Sequence, residues 1–310
     1  MNIITQLLNA LPGSISQGLI WGIMAIGVYL TYRILDIADL TVDGSFATGG
    51  VVAVVLILNG CNLWLAMLLA FVSGILVGVI TGLLNILLGI PHILAGILTQ
   101  LALYSINLKI LGKANQSVNV NKTELLISLR WVRDFAFHNP LITVGIVLAL
   151  LIGILYWFFG TEMGCAIRAT GANLNMSRAQ GINTNFNKVL GIMLSNGLVA
   201  FSGAFLAQFQ GFADVKMGQG AIVIALAAVI IGEALFGKIF KNFALRLLSV
   251  AFGSIIYYIV IQTVVTLGFD ANLLKLLSAA IVAIFLGIPH LKKQYDQNHI
   301  RKYKGGRSDA

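Results

Sequence analysis

The stretch Leu35–Gly50, LDIADLTVDGSFATGG, decides how this chain is read. It follows an apolar segment of helical length and precedes the run VVAVVLIL. Three carboxylates, Asp36, Asp39 and Asp43, stand in otherwise oily sequence beside a glycine cluster. A carboxylate at the centre of a bilayer costs on the order of 2.5–3.5 kcal/mol, so three in one lipid-facing helix would cost roughly 8–10 kcal/mol. A continuous lipid-facing helix is therefore excluded. Two arrangements stay open. One is a solvated turn in which Asp43 or Ser45 caps the next helix. The other is a helix that breaks at Val42–Ser45 inside the protein and lines a polar path. We expect a mixture, with Asp36 paired to Arg33 and Asp39–Gly44 forming the break.

The rest of the chain sets the oily context. Of 310 residues, 58% are hydrophobic and only 10% charged, against about 25% charged in a soluble domain. Mean hydropathy is +0.93. Apolar stretches of about 20 residues recur throughout, each long enough to cross a bilayer. The reading is an all-α polytopic membrane protein with about 8–9 transmembrane helices, one or two of them broken or short. The expected spans are 14–34, 44–60, 63–88, 91–112, 140–160, 188–212, 219–236 and 247–290, the last split in two near Gly268–Asn272. The short spans 44–60 and 219–236 are the type of segment that flanks a substrate route in transporters. The start MNIITQLLNALPGS lacks a basic region, so the first apolar run is read as a span, not a cleaved signal. The expected organisation is one transmembrane domain over 1–290, a polar connection at 161–187, and a basic tail over 291–310.

Lys and Arg set the orientation. The tail carries Lys292, Lys293, Arg301, Lys302, Lys304 and Arg307. The 161–187 connection carries Arg168 and Arg178, with Lys188 just after, and 237–246 carries Lys238, Lys241 and Arg246. An even number of spans separates each, so all three can face the cytoplasm, with the N-terminus outside and the C-terminus inside. The 113–139 connection, with Lys113, Lys122, Arg130 and Arg133, then lies outside against the rule. The opposite orientation would place three basic segments outside instead of one. The net charge of +9 thus reads as topology and anionic-lipid contact, not nucleic-acid binding.

Several motifs are set aside. Cys61 and Cys165 fall on opposite faces and form no disulfide framework. The four histidines show no metal-ligand spacing, and no Ser/His/Asp set supports an intramembrane enzyme. GEALFGKI, Gly232–Ile239, mimics a phosphate loop, but Ile239 stands where Ser or Thr must hold Mg²⁺. LGIPH occurs at Leu88–His92 and Leu286–His290, as a helix stop or a structural repeat. Gln100, Asn107, Asn196, Gln208, Gln210 and Gln262 sit on spans, where such residues bond neighbouring helices or a substrate.

The 161–187 connection contains CAIRATGANLNMSRAQGI, which can form a short amphipathic helix interrupted by Gly171. Ala169, Ala172, Met176 and Ala179 fall near one face. From periodicity alone, a partner surface and an interfacial helix on lipid are equally good readings. The pattern T-x-x-G-x-A-I-R-A-x-G-x-N…A-x-x-x-G-I-N, followed by S-x-x-x-A-x-x-S-G-A, resembles the cytoplasmic coupling loop of ABC importer permeases. The family is that of the branched-chain amino acid, ribose-type and nucleoside importers. GLIWGIMAIGVYLTYRILDIADLTVDG resembles its first conserved span. Sugar members carry D-L-S-V-G at the break and branched-chain members N-F-A-H-G; Asp39–Gly44 lies between the two. GQGAIVIALAAVIIGEALFG is similar to a later family span, with Glu233 in place of a second glycine. LTVDGSFATGG together with GIPHILAGILTQLALYSINLKILGKAN resembles a branch associated with amino-acid uptake, including tryptophan- and tyrosine-type systems.

The resemblance implies a type II ABC importer-like fold and a transport subunit without its own ATPase site. It implies no cofactor on this chain, ATP and Mg²⁺ being held by a separate ATP-binding subunit. It implies coupling to that subunit through Arg168, Ala169, Gly171, Ala172, Asn173, Asn175, Arg178 and Gly181. Two permease copies would form the path, fed by an extracytoplasmic substrate-binding lipoprotein. Asp39, Asp43, Gly44 and Ser45 would line the translocation path, with Asn107, Gln208 and Gln210 toward its outer half. The substrate would be an amino acid, aromatic or branched-chain, with a sugar or nucleoside as the alternative. The competing class is an ion-coupled secondary transporter working through Asp39, Asp43 or Glu233.

Overall fold

A computed structural model describes residues 3–118, 125–132 and 139–268, with isolated helical positions at 276, 279, 280, 282, 283 and 287. Ten α-helices follow in order: α1 Ile3–Tyr29, α2 Val42–Leu58, α3 Leu63–Leu87, α4 His92–Leu111, α5 Pro140–Gly160, α6 Glu162–Ala172, α7 Leu174–Ala179, α8 Thr184–Gln210, α9 Ala221–Phe236 and α10 Phe243–Thr266. A π-helical turn, Leu30–Ile34, ends α1. Two three-residue strands, β1 Asn115–Ser117 and β2 Phe212–Asp214, pair antiparallel at one end of the bundle.

Among the described residues, six helices are long and apolar enough to cross a membrane: α1 with its π turn, α3, α4, α5, α8 and α10. The apolar helices α2 and α9 are shorter, at 17 and 16 residues. At 1.5 Å per residue they reach about 24–26 Å, less than the ~30 Å hydrocarbon core. All eight expected apolar spans correspond to helices as far as the described residues run. The first begins at Ile3, not 14, and runs through Pro12. The sixth begins at Thr184, four residues before its expected start. Helix α10 ends at Thr266, and Gly268 follows at φ +89. The second half of that span, the second LGIPH copy save Gly287, and the basic tail lie outside the described residues, as do Lys122 and Arg133. The first LGIPH is a helix stop: Gly89 has φ +67, the Asn85 side-chain amide donates to the Ile90 carbonyl, and α4 restarts after Pro91.

Burial separates centre from periphery. In their most apolar windows α1 and α8 are 78% and 72% buried, whereas α3, α4 and α5 are 33%, 28% and 22% buried. The central helices pack through small residues and serine hydroxyls. Ser195 and Ser202 on α8 donate to the carbonyls of Gly27 and Ile20, and Ser254 on α10 to that of Gly18, all at 2.6–2.7 Å. Gly49 on α2 rests on the Ala200 carbonyl and Gly203 on α8 on the Phe46 carbonyl, so a Cβ at either would force the two helices apart. Without water to drive them together, helices in a membrane associate through such close contacts and hydrogen bonds.

Candidate functional site

The break after α1 begins at its π turn. The Leu35 amide donates to the Leu30 carbonyl and that of Ile37 to Thr31. Asp36 then takes φ +56, a left-handed value that aspartate tolerates better than most residues. Residues 35–41 are non-helical, and α2 starts at Val42. Arg33 pairs with Glu233 at 3.0 Å. This corrects the expected Arg33–Asp36 pair. The end of α9 comes back to the π turn and supplies the nearer carboxylate.

Asp39 is 4% exposed. Its Oδ1 accepts from the Thr41 amide at 2.9 Å and its Oδ2 from Asn196 Nδ2 at 2.7 Å. Asn196 Oδ1 in turn accepts from Ser45 Oγ at 2.5 Å. Asn196 lies twelve residues into the 27-residue α8, about 18 Å from its start and about 21 Å from its end at 1.5 Å per residue. The break is therefore held at mid-depth. Beneath it Thr41, Thr81 and Thr99 link hydroxyls at 3.1 Å, joining α3 and α4 to the same segment. Gly44 lies against α4, where a Cβ would come within 2.8 Å of Leu103.

Asp43 serves a different helix. Its Oδ2 accepts from the Gly220 amide at 2.9 Å and its Oδ1 from the Ile222 amide at 3.0 Å. Helix α9 has no side-chain cap of its own, its N-cap being Gly220. One carboxylate thus lies in the first turn of α2 and caps the start of α9. The orphan amides and the positive dipole end of each helix both favour an anion there. Eleven residues along α9, Glu233 meets Arg33. The chain therefore climbs about 16 Å into the bundle between Arg33 and Asp43. Both short helices start after non-helical segments in which Asp36, Ala38, Gln219 and Gly220 are exposed while Asp39 and Gly218 are buried.

The 161–187 connection folds as two short helices. Thr161 caps α6, and Asn173 caps α7 by accepting from the Asn175 and Met176 amides. Helix α6 runs through Gly171 unbroken, and the interruption falls at Asn173 instead. Gly171 is needed for contact, since its α-carbon abuts the Ile34 carbonyl and Leu35. Arg168 points into the bundle: Nη2 donates to the Phe159 carbonyl at 2.7 Å, and the guanidinium sits 6.0 Å over the Phe243 ring. Arg178 Nε donates to Thr184 Oγ1, and Gly181 turns the chain at φ +79. Ala169 is half-buried, while Ala172, Asn173, Asn175, Met176, Arg178, Ala179 and Gly181 are exposed.

The outer-half residues take separate roles. Gln208 is fully buried, accepting from the Leu126 amide at 3.0 Å and lying 3.0 Å from Met67 sulfur, so it ties the long connection to α8. Gln210 is exposed at the end of α8. Asn107 is 1% exposed with Oδ1 unpartnered. The structure does not bring these three to the break. Asn196, expected to bond a neighbouring helix or a substrate, anchors the break, and Thr41 is the anchor that a local reading misses. The Gly232–Ile239 motif lies mostly on helix, without a phosphate-cradling loop.

Comparison with known proteins completes the site. The family model described as branched-chain amino acid transport system, permease component, matches residues 11–288. A tyrosine transport system permease protein of Clostridioides difficile (strain R20291) is 37% identical over 276 residues, covering 89% of this chain and 90% of that protein. An uncharacterised protein of Rickettsia prowazekii (strain Madrid E) is 34% identical over 291 residues, 93% and 99% of the two chains. A fructose import permease protein of Bifidobacterium longum (strain NCC 2705) is 29% identical over 251 residues, 79% and 68% of the two chains. No solved structure matches.

Proposed function

The chain belongs to the family of branched-chain amino acid transport system permease components, and from that premise we propose that it is the membrane subunit of an ABC importer for an amino acid. The tyrosine system of the C. difficile relative and the amino-acid family description favour an amino acid over a sugar. An aromatic or branched-chain side chain is the first to test. Two copies would enclose the path, an external lipoprotein would deliver the substrate, and a separate ATPase would supply the energy. The domain spans 1–290, with the tail 291–310 and the α6–α7 face in the cytoplasm and the N-terminus outside.

One observation carries the mechanism. Gly171 of α6 lies directly on Ile34 and Leu35, where the break begins. The exposed stretch Ala172–Met176, with Ala179, offers a partner a mixed surface in which Leu174 and Met176 alternate with two asparagines. A shift of α6 therefore reaches the Asp39 segment through backbone contact, without an intermediate side chain. ATP acts by binding the closed ATPase pair more tightly than the open one, which shifts the permeases with it. Arg168 keeps α6 attached to the end of α5 while this happens.

The test is reconstitution of the chain with its ATPase and binding protein in proteoliposomes. ATP-dependent uptake of tyrosine or leucine is expected, and uptake by the lone chain without ATP would overturn the reading. Gly171→Leu is expected to abolish uptake and uncouple ATP hydrolysis from substrate, because the side chain strikes the Ile34 carbonyl. Gly153→Ala, on α5 with open space at its Cβ position, is expected to leave both intact.

A further inference from the structure

Four cations converge at the end of the bundle that carries α6. Arg33 closes the π turn, Arg168 lies on α6, and Lys241 and Arg246 flank the start of α10. With Tyr29 and Phe243 they line a cavity of about 390 Å³. A second cavity of about 580 Å³ shares Arg168, Lys241 and Phe243 and opens beside Tyr156 and Trp157. Among the described residues one ion pair reaches this cluster, Glu233 to Arg33. Arg168 spends its donors on a carbonyl and the Cys165 thiol, both uncharged. Arg246 faces the Tyr29 hydroxyl. Among the described residues, three positive charges are left around the two cavities without an ion-pair partner. Like charges so close repel, and an anion among them removes that cost.

The mouth identifies the anion's source. Tyr156 and Trp157, on the last turn of α5, are 49% and 72% exposed. Tyrosine and tryptophan so placed mark headgroup depth. Behind them along α5, at four-residue spacing, Ile146, Leu150 and Ile154 form an exposed apolar stripe. Spacing by four puts them on one face of the helix. A stripe for acyl chains thus leads to an aromatic rim and then to a basic cavity.

We propose that the joined cavities hold the phosphate of an anionic phospholipid, between Arg168 and Lys241, with its acyl chains along Ile146–Leu150–Ile154. The inference rests on the membrane-spanning reading above, but not on the transported substrate. The lipid would bridge α5, α6, the π turn and α10. It would thereby stiffen the element that faces the ATPase, making coupling depend on lipid composition. Anionic headgroups gain about 1 kcal/mol per nearby Lys or Arg.

Native mass spectrometry of the full chain bound to its ATPase tests this, with phosphatidylglycerol and phosphatidylcholine as probes. Phosphatidylglycerol is expected to bind preferentially. Lys241→Gln/Arg246→Gln is expected to weaken it by about 30-fold, as for two lost cations. Lys241→Gln alone, at a position on the cavity edge, should weaken it by about 5-fold and keeps the test readable if the double variant misfolds. Lys302→Gln/Lys304→Gln removes the same charge from the tail and should leave the preference unchanged; an equal loss there would reduce the effect to bulk surface charge and overturn the site. Displacement of the lipid by millimolar sodium phosphate would make the ligand a soluble phosphate and overturn the lipid source. Binding to the permease alone but not to the ATPase complex would mean that the partner's own acidic groups fill the cavity, and would also overturn it. Loss of transport with lipid binding intact would count against the importer reading only.

Discussion

The two short helices are held at their starts in opposite ways. Helix α2 begins after a segment that carries its own acceptor: Asp39 bonds Thr41 and reaches across to Asn196. Helix α9 begins after residues 211–220, whose one carboxylate, Asp214, accepts from the Lys216 amide and Asn115 instead, and it borrows Asp43 from α2. One start is fastened to the central helix α8, the other to its short neighbour. The difference teaches where motion can enter. A displacement of α2 drags the cap of α9 with it, whereas α9 can loosen without disturbing Asp39.

Removing Asp39 should break this contrast most strongly. Asp39→Ala leaves two buried donors, the Thr41 amide and Asn196 Nδ2, without their acceptor, a loss of about 2–4 kcal/mol. Unfolding in detergent and uptake should both collapse. A variant that melts like the parent would mean that the break stands on its backbone alone. Asp43→Ala should cost about 1–2 kcal/mol, the worth of a helix cap. Its signature is local: faster hydrogen exchange at the amides of residues 220–224, with the Thr41 amide unchanged. Exchange rising equally at both sites would merge the two starts into one unit. Asp43→Asn keeps one acceptor and loses the charge at the dipole end, about 0.5–1 kcal/mol. Normal uptake by that variant, beside failure of Gly44→Leu against Leu103, would assign the site's work to backbone shape. The Arg33–Glu233 pair should matter least for stability. Its side chains are 60% and 34% exposed, and a double-mutant cycle should return about 0–1 kcal/mol.

The break itself was legible because three carboxylates in oily sequence have a definite insertion cost. The eight apolar segments were legible from length, and the 161–187 connection from its polarity. What local pattern could not supply was the identity of distant partners. Asp43 caps a helix 177 positions away, and Asp39 finds its amide 157 positions away. Nothing near Glu233 in the sequence points to Arg33. Gly171 read as a helix breaker because glycine disfavours helices; its real constraint is the Ile34 carbonyl, which only the fold brings there. Gln208 looked like a path residue because a polar side chain on a span invites that reading, yet its donor comes from a connection with no periodic pattern.

The bond between Asp39 and Asn196 also has a consequence in time. At a synthesis rate of about 5–20 residues per second, the ribosome reaches Asn196 some 8–30 s after Asp39, since 157 positions separate them. Until then the carboxylate has only the local Thr41 amide as a partner, and a nascent chain would keep its other oxygen near water. Helix α2 can therefore settle to its final depth only after α8 has been inserted. Biogenesis of this protein ends by drawing an early segment inward, with a late helix as the receptor that makes its burial possible.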